Sequence, residues 1–128
     1  MRSWLRTAFV LLLILTISTV FLALLSRPIE QFVFPEPSRE YFNITMSLSA
    51  IDPDEIVVKQ DTLVFLNITS LDERHMFGLL AYAISKNVPA KETVTVSFVA
   101  GLLGSFTFQC QIVSPEHLLE RGTLTVIE

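Results

Sequence analysis

The feature that most constrains this chain is a long apolar run near its beginning. The run extends from Ala8 to Leu25 without a charged residue, and its polar side chains are three hydroxyls, those of Thr16, Ser18 and Thr19. As an α-helix these residues would span about 27 Å, close to the thickness of roughly 30 Å of a bilayer core. We therefore predict a membrane anchor helix over residues 1–26.

The charges around this run predict its orientation. Arg2 and Arg6 precede it, and basic residues favour the cytoplasmic side, so the rest of the chain is expected outside the cytoplasm, periplasmic or extracellular. A cleaved signal peptide is the alternative, since it also combines basic residues with an apolar stretch. Its apolar core is usually shorter, however, and Ala23–Ser26 offers no Ala-x-Ala cleavage pattern. An uncleaved, single-pass anchor is the better interpretation.

The remainder of the chain divides into a linker and a domain rich in strand formers. The prolines at positions 28, 35 and 37 predict an extended linker over residues 27–40. From residue 41 to residue 128, short segments of β-branched and aromatic residues alternate with turn signals. The predicted strands are Tyr41–Leu48, Glu55–Lys59, Thr62–Ile68, Thr93–Val99, Ser105–Gln109 and Gly122–Ile127. This spacing predicts an all-β, antiparallel Greek-key sandwich without a long helix.

Composition narrows the classes of function. The 128 residues carry a formal net charge of −4, which disfavours nucleic-acid binding, and the four glycines form no phosphate-binding loop. The single cysteine excludes an internal disulfide and any multi-cysteine metal site. Two histidines exclude a histidine-rich cluster. Few groups remain that could carry chemistry.

The cysteine, Cys110, directly follows a predicted strand. Phe106 and Phe108 lie on the same face of that strand, so period two directs the cysteine side chain inward. Burial as a small hydrophobic residue is one interpretation. The other is metal ligation, because His117 follows seven residues later and a lone exported thiol requires burial or ligation.

The other histidine, His75, lies in a polar turn after a hydrophobic strand, beside Asp72, Glu73 and Arg74. A solvated loop histidine is the ordinary outcome in such a context. Together, however, two imidazoles and one thiolate form the ligand set of a mononuclear type 1 copper site.

These residues resemble the cupredoxin family, and in particular the dicopper-A domain of cytochrome c oxidase subunit II. The resemblance covers residues 43–128. It is carried by four segments in the family's order: Pro53–Lys59, Thr69–Gly78, Val88–Lys91 and Phe108–Cys110 with the loop to His117. The resemblance implies a cupredoxin-like sandwich.

The resemblance also implies a ligand set, in which His75, Cys110 and His117 are equatorial ligands. Ser114 stands where the family has its second bridging cysteine, so one copper ion is expected instead of two. Glu120 occupies the position of the family's axial methionine and is proposed as the axial ligand. Met76, a backbone oxygen or no axial ligand remain alternatives. A carboxylate would favour Cu(II) and lower the reduction potential relative to methionine.

The function predicted on this basis is electron transfer in a respiratory chain by a membrane-anchored copper protein. It would be an electron carrier or a non-catalytic subunit, with no catalytic residue. The alternative is a structural or assembly subunit of an oxidase whose dicopper site has degenerated. Copper delivery ranks third, because such proteins favour exposed methionines.

The expected partner is a redox protein or a haem–copper oxidase subunit, beside the membrane. Leu118 and Leu119 follow the second histidine and are expected to form an apolar docking patch. Its expected rim consists of acidic side chains that would steer a basic partner: Asp72, Glu73, Glu116 and Glu120.

Overall fold

The computed structural model describes residues 2–28 and 33–128, which form two compact units, 1–35 and 36–128. Met1 of the predicted anchor and residues 29–32 of the predicted linker lie outside the described residues. The division into anchor, linker and domain at residues 26 and 40 stays a prediction.

Among its described residues, the first unit contains one α-helix, α1 (Arg2–Leu25). This helix has 24 residues and is long and apolar enough to cross a membrane. Two hydroxyls of the apolar run are hydrogen bonded within the helix. The Thr16 hydroxyl donates to the Leu13 carbonyl at 2.9 Å and the Thr19 hydroxyl to the Thr16 carbonyl at 2.9 Å. Hydroxyls that bond to the preceding turn need no water, so they are compatible with a lipid environment.

The second unit is a β-sandwich. Its nine strands, as described, are β1 (Arg39–Ser47), β2 (Ala50–Asp52), β3 (Glu55–Lys59), β4 (Leu63–Ser70), β5 (His75–Leu79), β6 (Ile84–Val88), β7 (Thr93–Val99), β8 (Gly104–Cys110) and β9 (Arg121–Ile127). Two short 3₁₀ turns, Leu80–Tyr82 and His117–Leu119, complete the elements. The predicted all-β sandwich with one N-terminal helix is confirmed.

The strands form two sheets, in the orders β2-β1-β4-β7 and β3-β9-β8-β5-β6. The expectation of purely antiparallel pairing was wrong, because β1 pairs with β4 and β3 with β9 in parallel. Alternation of side chains identifies a strand and its buried face, but it carries no information on the direction of the partner strand. That direction depends on how the connections cross between the two sheets.

The core lies between the sheets and consists of the inward side of each alternating strand. The burial pattern of β4 alternates over its whole length, as period two requires. Phe77 and Phe108 are the largest fully buried side chains, and their ring centroids lie 5.7 Å apart. Both belong to the five-stranded sheet, directly behind the ends of β5 and β8. This ring pair therefore packs in the core beside the strands that carry His75 and Cys110.

The prediction missed three strands, β2, β5 and β6. β5 was interpreted as a polar turn because it begins with His75 and contains Gly78. A Cβ at Gly78 would lie 2.5 Å from the Gln111 side chain, so any larger residue in this position would have to displace that side chain. β6 is an edge strand whose middle residues are exposed, and an edge strand shows little hydrophobic alternation.

Candidate metal centre

Two neighbouring strands supply one side of the site. His75 is the first residue of β5 and Cys110 is the last residue of β8. Phe77 is paired with Cys110 across these strands. Because His75 precedes Phe77 by two residues, its side chain lies on the same sheet face as that of Phe77. The sheet therefore brings the thiol and the first imidazole together.

A loop and a short turn supply the other side. After Cys110 the chain runs through residues 111–116 into the 3₁₀ turn His117–Leu119, which ends at Glu120. The Cys110 amide donates to the Glu120 carbonyl at 3.0 Å, and this closes the loop at its base. Within it, the Ser114 hydroxyl accepts the His117 amide at 3.3 Å. At the position of the family's second cysteine, the serine thus stabilises the turn.

The four residues singled out from the sequence converge. His75, Cys110, His117 and Glu120 each offer a ligand atom, and these atoms all lie within 4.8 Å of one another. All four residues are buried, with exposed fractions between 0% and 4%. The Cys110 Sγ lies 3.5 Å from His117 Nδ1, and the two imidazole rings meet edge to face. The interpretation of His75 as a solvated loop residue is wrong.

Glu120 lies between the two imidazoles. Its Oε2 is 2.9 Å from His75 Nδ1, and its Oε1 is 3.0 Å from His117 Nδ1. The second contact lacks hydrogen-bond geometry, so Oε1 is a buried oxygen without a hydrogen-bond partner among the described residues. Glu120 is fully buried, so its expected place in an acidic surface rim was wrong.

Two further carboxylates contact the outer nitrogens of the same rings. Asp72 Oδ1 lies 2.6 Å from His75 Nε2, and Glu73 Oε1 lies 2.9 Å from His117 Nε2. The sequence analysis treated both acids as surface charges and missed these contacts. The spacing of Asp72, three residues before His75, was the one local signal for the first of them.

The protons of these rings decide what the pocket can hold. A neutral imidazole has one N–H donor and one acceptor nitrogen. If the outer carboxylates accept the Nε2 protons, both Nδ1 lone pairs face the carboxylate of Glu120 and the sulfur of Cys110. Acceptor atoms in such proximity, buried from water, need a proton or a cation between them. One sulfur, two imidazole nitrogens and an oxygen without a hydrogen-bond partner therefore fit a transition-metal ion.

The thiol is held in its neutral form when no metal is bound. Burial raises the pKa of Cys110, and the nearby Glu120 carboxylate raises it further, against the opposing effect of the Met76 and Ile112 amides. A neutral, buried thiol is a poor nucleophile. A metal ion would displace this proton, since the thiolate is the form that binds metals.

The outer carboxylate of Asp72 is held as an anion. Desolvation acts to raise its pKa, but hydrogen bonds from the Leu48 and Glu73 amides and from His75 outweigh it and lower the pKa. The Leu48 amide donates to Oδ2 at 2.8 Å. Asp72 therefore connects the β1–β2 hairpin to the first imidazole.

The surface beside the site is apolar. Leu118 and Leu119 are 47% and 67% exposed, and Val113 in the same loop is 88% exposed. This agrees with the expected apolar patch next to the second histidine. The occupant of the patch stays a prediction.

A family model described as cupredoxin-like domain matches residues 10–126. No curated protein matches the sequence. Three solved structures illustrate the likeness of fold. The metal-binding domain of the Cu(I)-exporting P-type ATPase CopA from Streptococcus pneumoniae D39, with Cu(I), is 15% identical at a TM-score of 0.62, covering 73% of this chain and 90% of that chain.

The second structure is auracyanin A, a "blue" copper protein from Chloroflexus aurantiacus. It is 19% identical at a TM-score of 0.57, covering 70% of this chain and 99% of that chain. The third is a chain of a heme-copper terminal oxidase dimer. It is 15% identical at a TM-score of 0.60, covering 94% of this chain and 97% of that chain. At these identities the likeness establishes the fold.

Proposed function

The chain belongs to the family of cupredoxin-like domains, and from this premise we propose that it is a membrane-anchored protein that carries electrons through one bound copper ion. The proposed equatorial ligands are His75, Cys110 and His117, and the proposed axial ligand is Glu120. The observation that carries the proposal is the convergence of these four buried side chains, with ligand atoms within 4.8 Å of one another.

The donor set supports copper over other metals. Two imidazoles, a thiolate and a weaker axial donor form the set that blue-copper electron-transfer sites use. Bound copper would supply a one-electron couple. The carboxylate of Glu120, a hard oxygen donor, favours the oxidised ion, so we expect a lower reduction potential than a methionine would give.

The protein's own residues would hold the ligands in place and exclude water. His75 and Cys110 are fixed by paired strands, and each imidazole is hydrogen bonded on its outer nitrogen. Outer hydrogen bonds orient the rings that ligate metals. Burial of all four side chains keeps water from the sulfur. Ligands held in this way would move little when the ion changes oxidation state, and fast electron transfer requires such small movements.

The location follows from the helix and the charges beside it. Helix α1 is long and apolar enough to cross a membrane. We propose that it anchors residues 41–128 outside the cytoplasm through a linker at 27–40, because Arg2 and Arg6 favour a cytoplasmic N-terminus. The expected partner is a redox protein that docks on the patch of Val113, Leu118 and Leu119.

Copper addition to the purified full-length chain in detergent tests the proposal. We expect one copper ion per chain and strong visible absorption from charge transfer between the thiolate and Cu(II). Cys110→Ser should abolish the absorption, because it removes the sulfur. Ser114→Ala is the matched control in the same loop and should retain it. A colourless wild-type protein, or colour that survives in Cys110→Ser, would contradict the proposal.

A second candidate is a subunit of a haem–copper oxidase in which the domain has a structural or assembly role. It is favoured by the likeness to a chain of a heme-copper terminal oxidase over 94% of this chain. Affinity purification of the tagged full-length chain from membranes distinguishes the two. Stoichiometric haem in the product, together with colourless copper titrations, would favour the oxidase subunit over the electron carrier.

Copper delivery is the third candidate, and the likeness to a Cu(I)-binding domain is its support. Met46 is fully buried and Met76 half-buried, so neither is the exposed sulfur that delivery proteins use. Competition titrations with Cu(I) and Cu(II) chelators measure the affinity for each ion and so distinguish copper delivery from electron transfer. A marked preference for Cu(I) would favour delivery.

A further inference from the structure

We propose that Glu73 is a positioning residue of the metal site, which fixes the His117 ring from outside and favours the oxidised ion. The contact between Glu73 and His117 does not depend on the proposed function. Its consequence for copper does rest on that function.

Glu73 is an unusual outer partner because it is itself exposed. Its side chain is 55% exposed, whereas that of His117 is 5% exposed, and the two meet at 2.9 Å between Oε1 and Nε2. An exposed glutamate normally samples many rotamers, which makes a single surface ion pair weak. Here the ring nitrogen that it contacts lies at the edge of a buried pocket, so the carboxylate covers the solvent side of the site.

The backbone of Glu73 is fixed, which limits this freedom. The Ser70 hydroxyl donates to the Glu73 carbonyl, and the Glu73 amide donates to Asp72 Oδ1 at 2.7 Å. Ser70 is buried, with 1% of its surface exposed. The turn of residues 70–73 therefore presents the Glu73 carboxylate from a defined position.

The contact selects one tautomer of the ring. A carboxylate accepts hydrogen bonds, so it holds the proton of a neutral His117 on Nε2. The lone pair then lies on Nδ1, the atom that is 3.5 Å from Cys110 Sγ and 3.0 Å from Glu120 Oε1. Without Glu73 the outer nitrogen would face water, and the proton would be free to occupy Nδ1, where it blocks ligation.

The contact also acts on the electrons of the ring. A carboxylate that accepts the outer N–H makes the imidazole a stronger donor, and losing such a partner typically costs about 10–100-fold in metal affinity. The effect is larger on Cu(II) than on Cu(I), because the more highly charged ion gains more from a stronger donor. We therefore expect the ratio of Cu(II) to Cu(I) affinity to fall about tenfold in Glu73→Ala.

The test compares Glu73→Ala and Glu73→Gln with Glu116→Gln in the full-length chain in detergent. Glu116 is exposed, precedes His117, and has no side-chain partner among the residues that the structure describes. Its variant removes the same charge without touching the ring. A tenfold change of the affinity ratio corresponds to 59 mV for one electron. We expect Glu73→Ala to raise the reduction potential by about this amount, Glu73→Gln by less, and Glu116→Gln least.

A metal-free measurement separates this proposal from the proposed function. Nitrogen-15 NMR of the histidine rings, at a pH well above the usual imidazole range, reports which nitrogen carries the proton. The wild-type protein and Glu116→Gln should hold the His117 proton on Nε2, whereas Glu73→Ala should show a mixture of tautomers. Since Glu73 is exposed, all three variants are expected to remain folded.

The outcomes are distinct. An unchanged tautomer in Glu73→Ala, or a potential shift no larger than that of Glu116→Gln, overturns the role of Glu73. A wild-type chain that takes up no copper overturns the proposed function, and the tautomer measurement then decides the positioning role by itself. A mixed tautomer combined with the larger potential shift supports both.

Discussion

The two halves of the candidate site are built differently. His75 and Cys110 belong to neighbouring strands of a five-stranded sheet, backed by the rings of Phe77 and Phe108. His117 and Glu120 belong to a 3₁₀ turn and its end, beside an exposed apolar loop. The first pair shares the stability of the core. The second pair is also buried, but it is held by individual hydrogen bonds and not by a strand ladder.

This difference indicates a division of roles. Strand positions cannot change without disturbing the core, because interiors are close-packed. Turn positions tolerate substitution, since turns lie at the surface and vary more readily. The departures from the dicopper-A pattern, Ser114 and Glu120, both lie in the turn half. We infer that the strand half provides a constant frame and that the turn half sets the properties of the ion.

The largest expected effect comes from the strand half. Phe108→Ala should lower the free energy of unfolding by about 3–5 kcal/mol, because it leaves a cavity behind Cys110. Leu119→Ala in the turn half should change it by roughly 0.5 kcal/mol or less. Urea unfolding followed by circular dichroism measures both, since the single tryptophan, Trp4, lies in the helix. Equal losses would contradict the division between the halves.

The next largest effect is a change in the reduction potential of the bound copper, caused by a substitution in the turn half. Glu120→Met should raise the reduction potential by about 60 mV or more, because a thioether stabilises Cu(I) relative to a carboxylate and each tenfold preference corresponds to 59 mV. Redox titration of the visible band measures the potential, with Glu116→Met as control. If the potential is unchanged, Glu120 is not a ligand.

A smaller effect is expected at the turn before β5. Ser70→Ala removes a buried hydroxyl that donates to the Glu73 carbonyl and accepts the Asp72 amide. We expect a loss of about 1 kcal/mol in the free energy of unfolding, the usual value for one hydrogen bond. Ser114→Ala, which removes one hydroxyl from the other half, should cost less. The reverse order in urea unfolding would show that the loop of residues 111–116 is the more tightly coupled segment.

The smallest effect depends on pH. The pKa of Asp72 lies below its ordinary value of 3.8 in the folded protein. Its anion therefore stabilises the fold above the unfolded pKa, and this contribution is lost as the pH falls from about 4 through the folded value. Asp72 is partly exposed, so we expect a few tenths of a kcal/mol. In metal-free protein, Asp72→Asn should be less stable than wild type near neutral pH, and the gap should close in acid.

Much of the strand framework could be predicted from local pattern. The bounds of β7, in the four-stranded sheet, agree with the prediction at both ends, because polar and apolar residues alternate from Thr93 to Phe98. The burial of the Cys110 side chain could be predicted because Phe106 and Phe108 lie on the same face of its strand. His75 was singled out as a candidate ligand, and the structure places it beside Cys110, His117 and Glu120. Its strand was not predicted, because a short strand with a polar first residue and a glycine has no hydrophobic alternation.

The outer carboxylates could not be predicted from local pattern. Asp72 and Glu73 lie in a run of charged residues that is typical of a solvated turn. The contact between Glu73 and His117 joins residues 44 positions apart, and no local period encodes such a distance. The burial of Glu120 was missed for the same reason, since its surroundings come from β5 and β8 as well as from its own loop.

The turn of residues 70–73 serves both imidazoles with two consecutive acids, Asp72 and Glu73. A shift of that backbone by one residue would exchange or remove both outer partners at once. The outer hydrogen bonds of the two imidazole rings therefore depend on the same short turn. A natural variant with an insertion there should lose both supports in a single step, even though every ligand is still in its sequence.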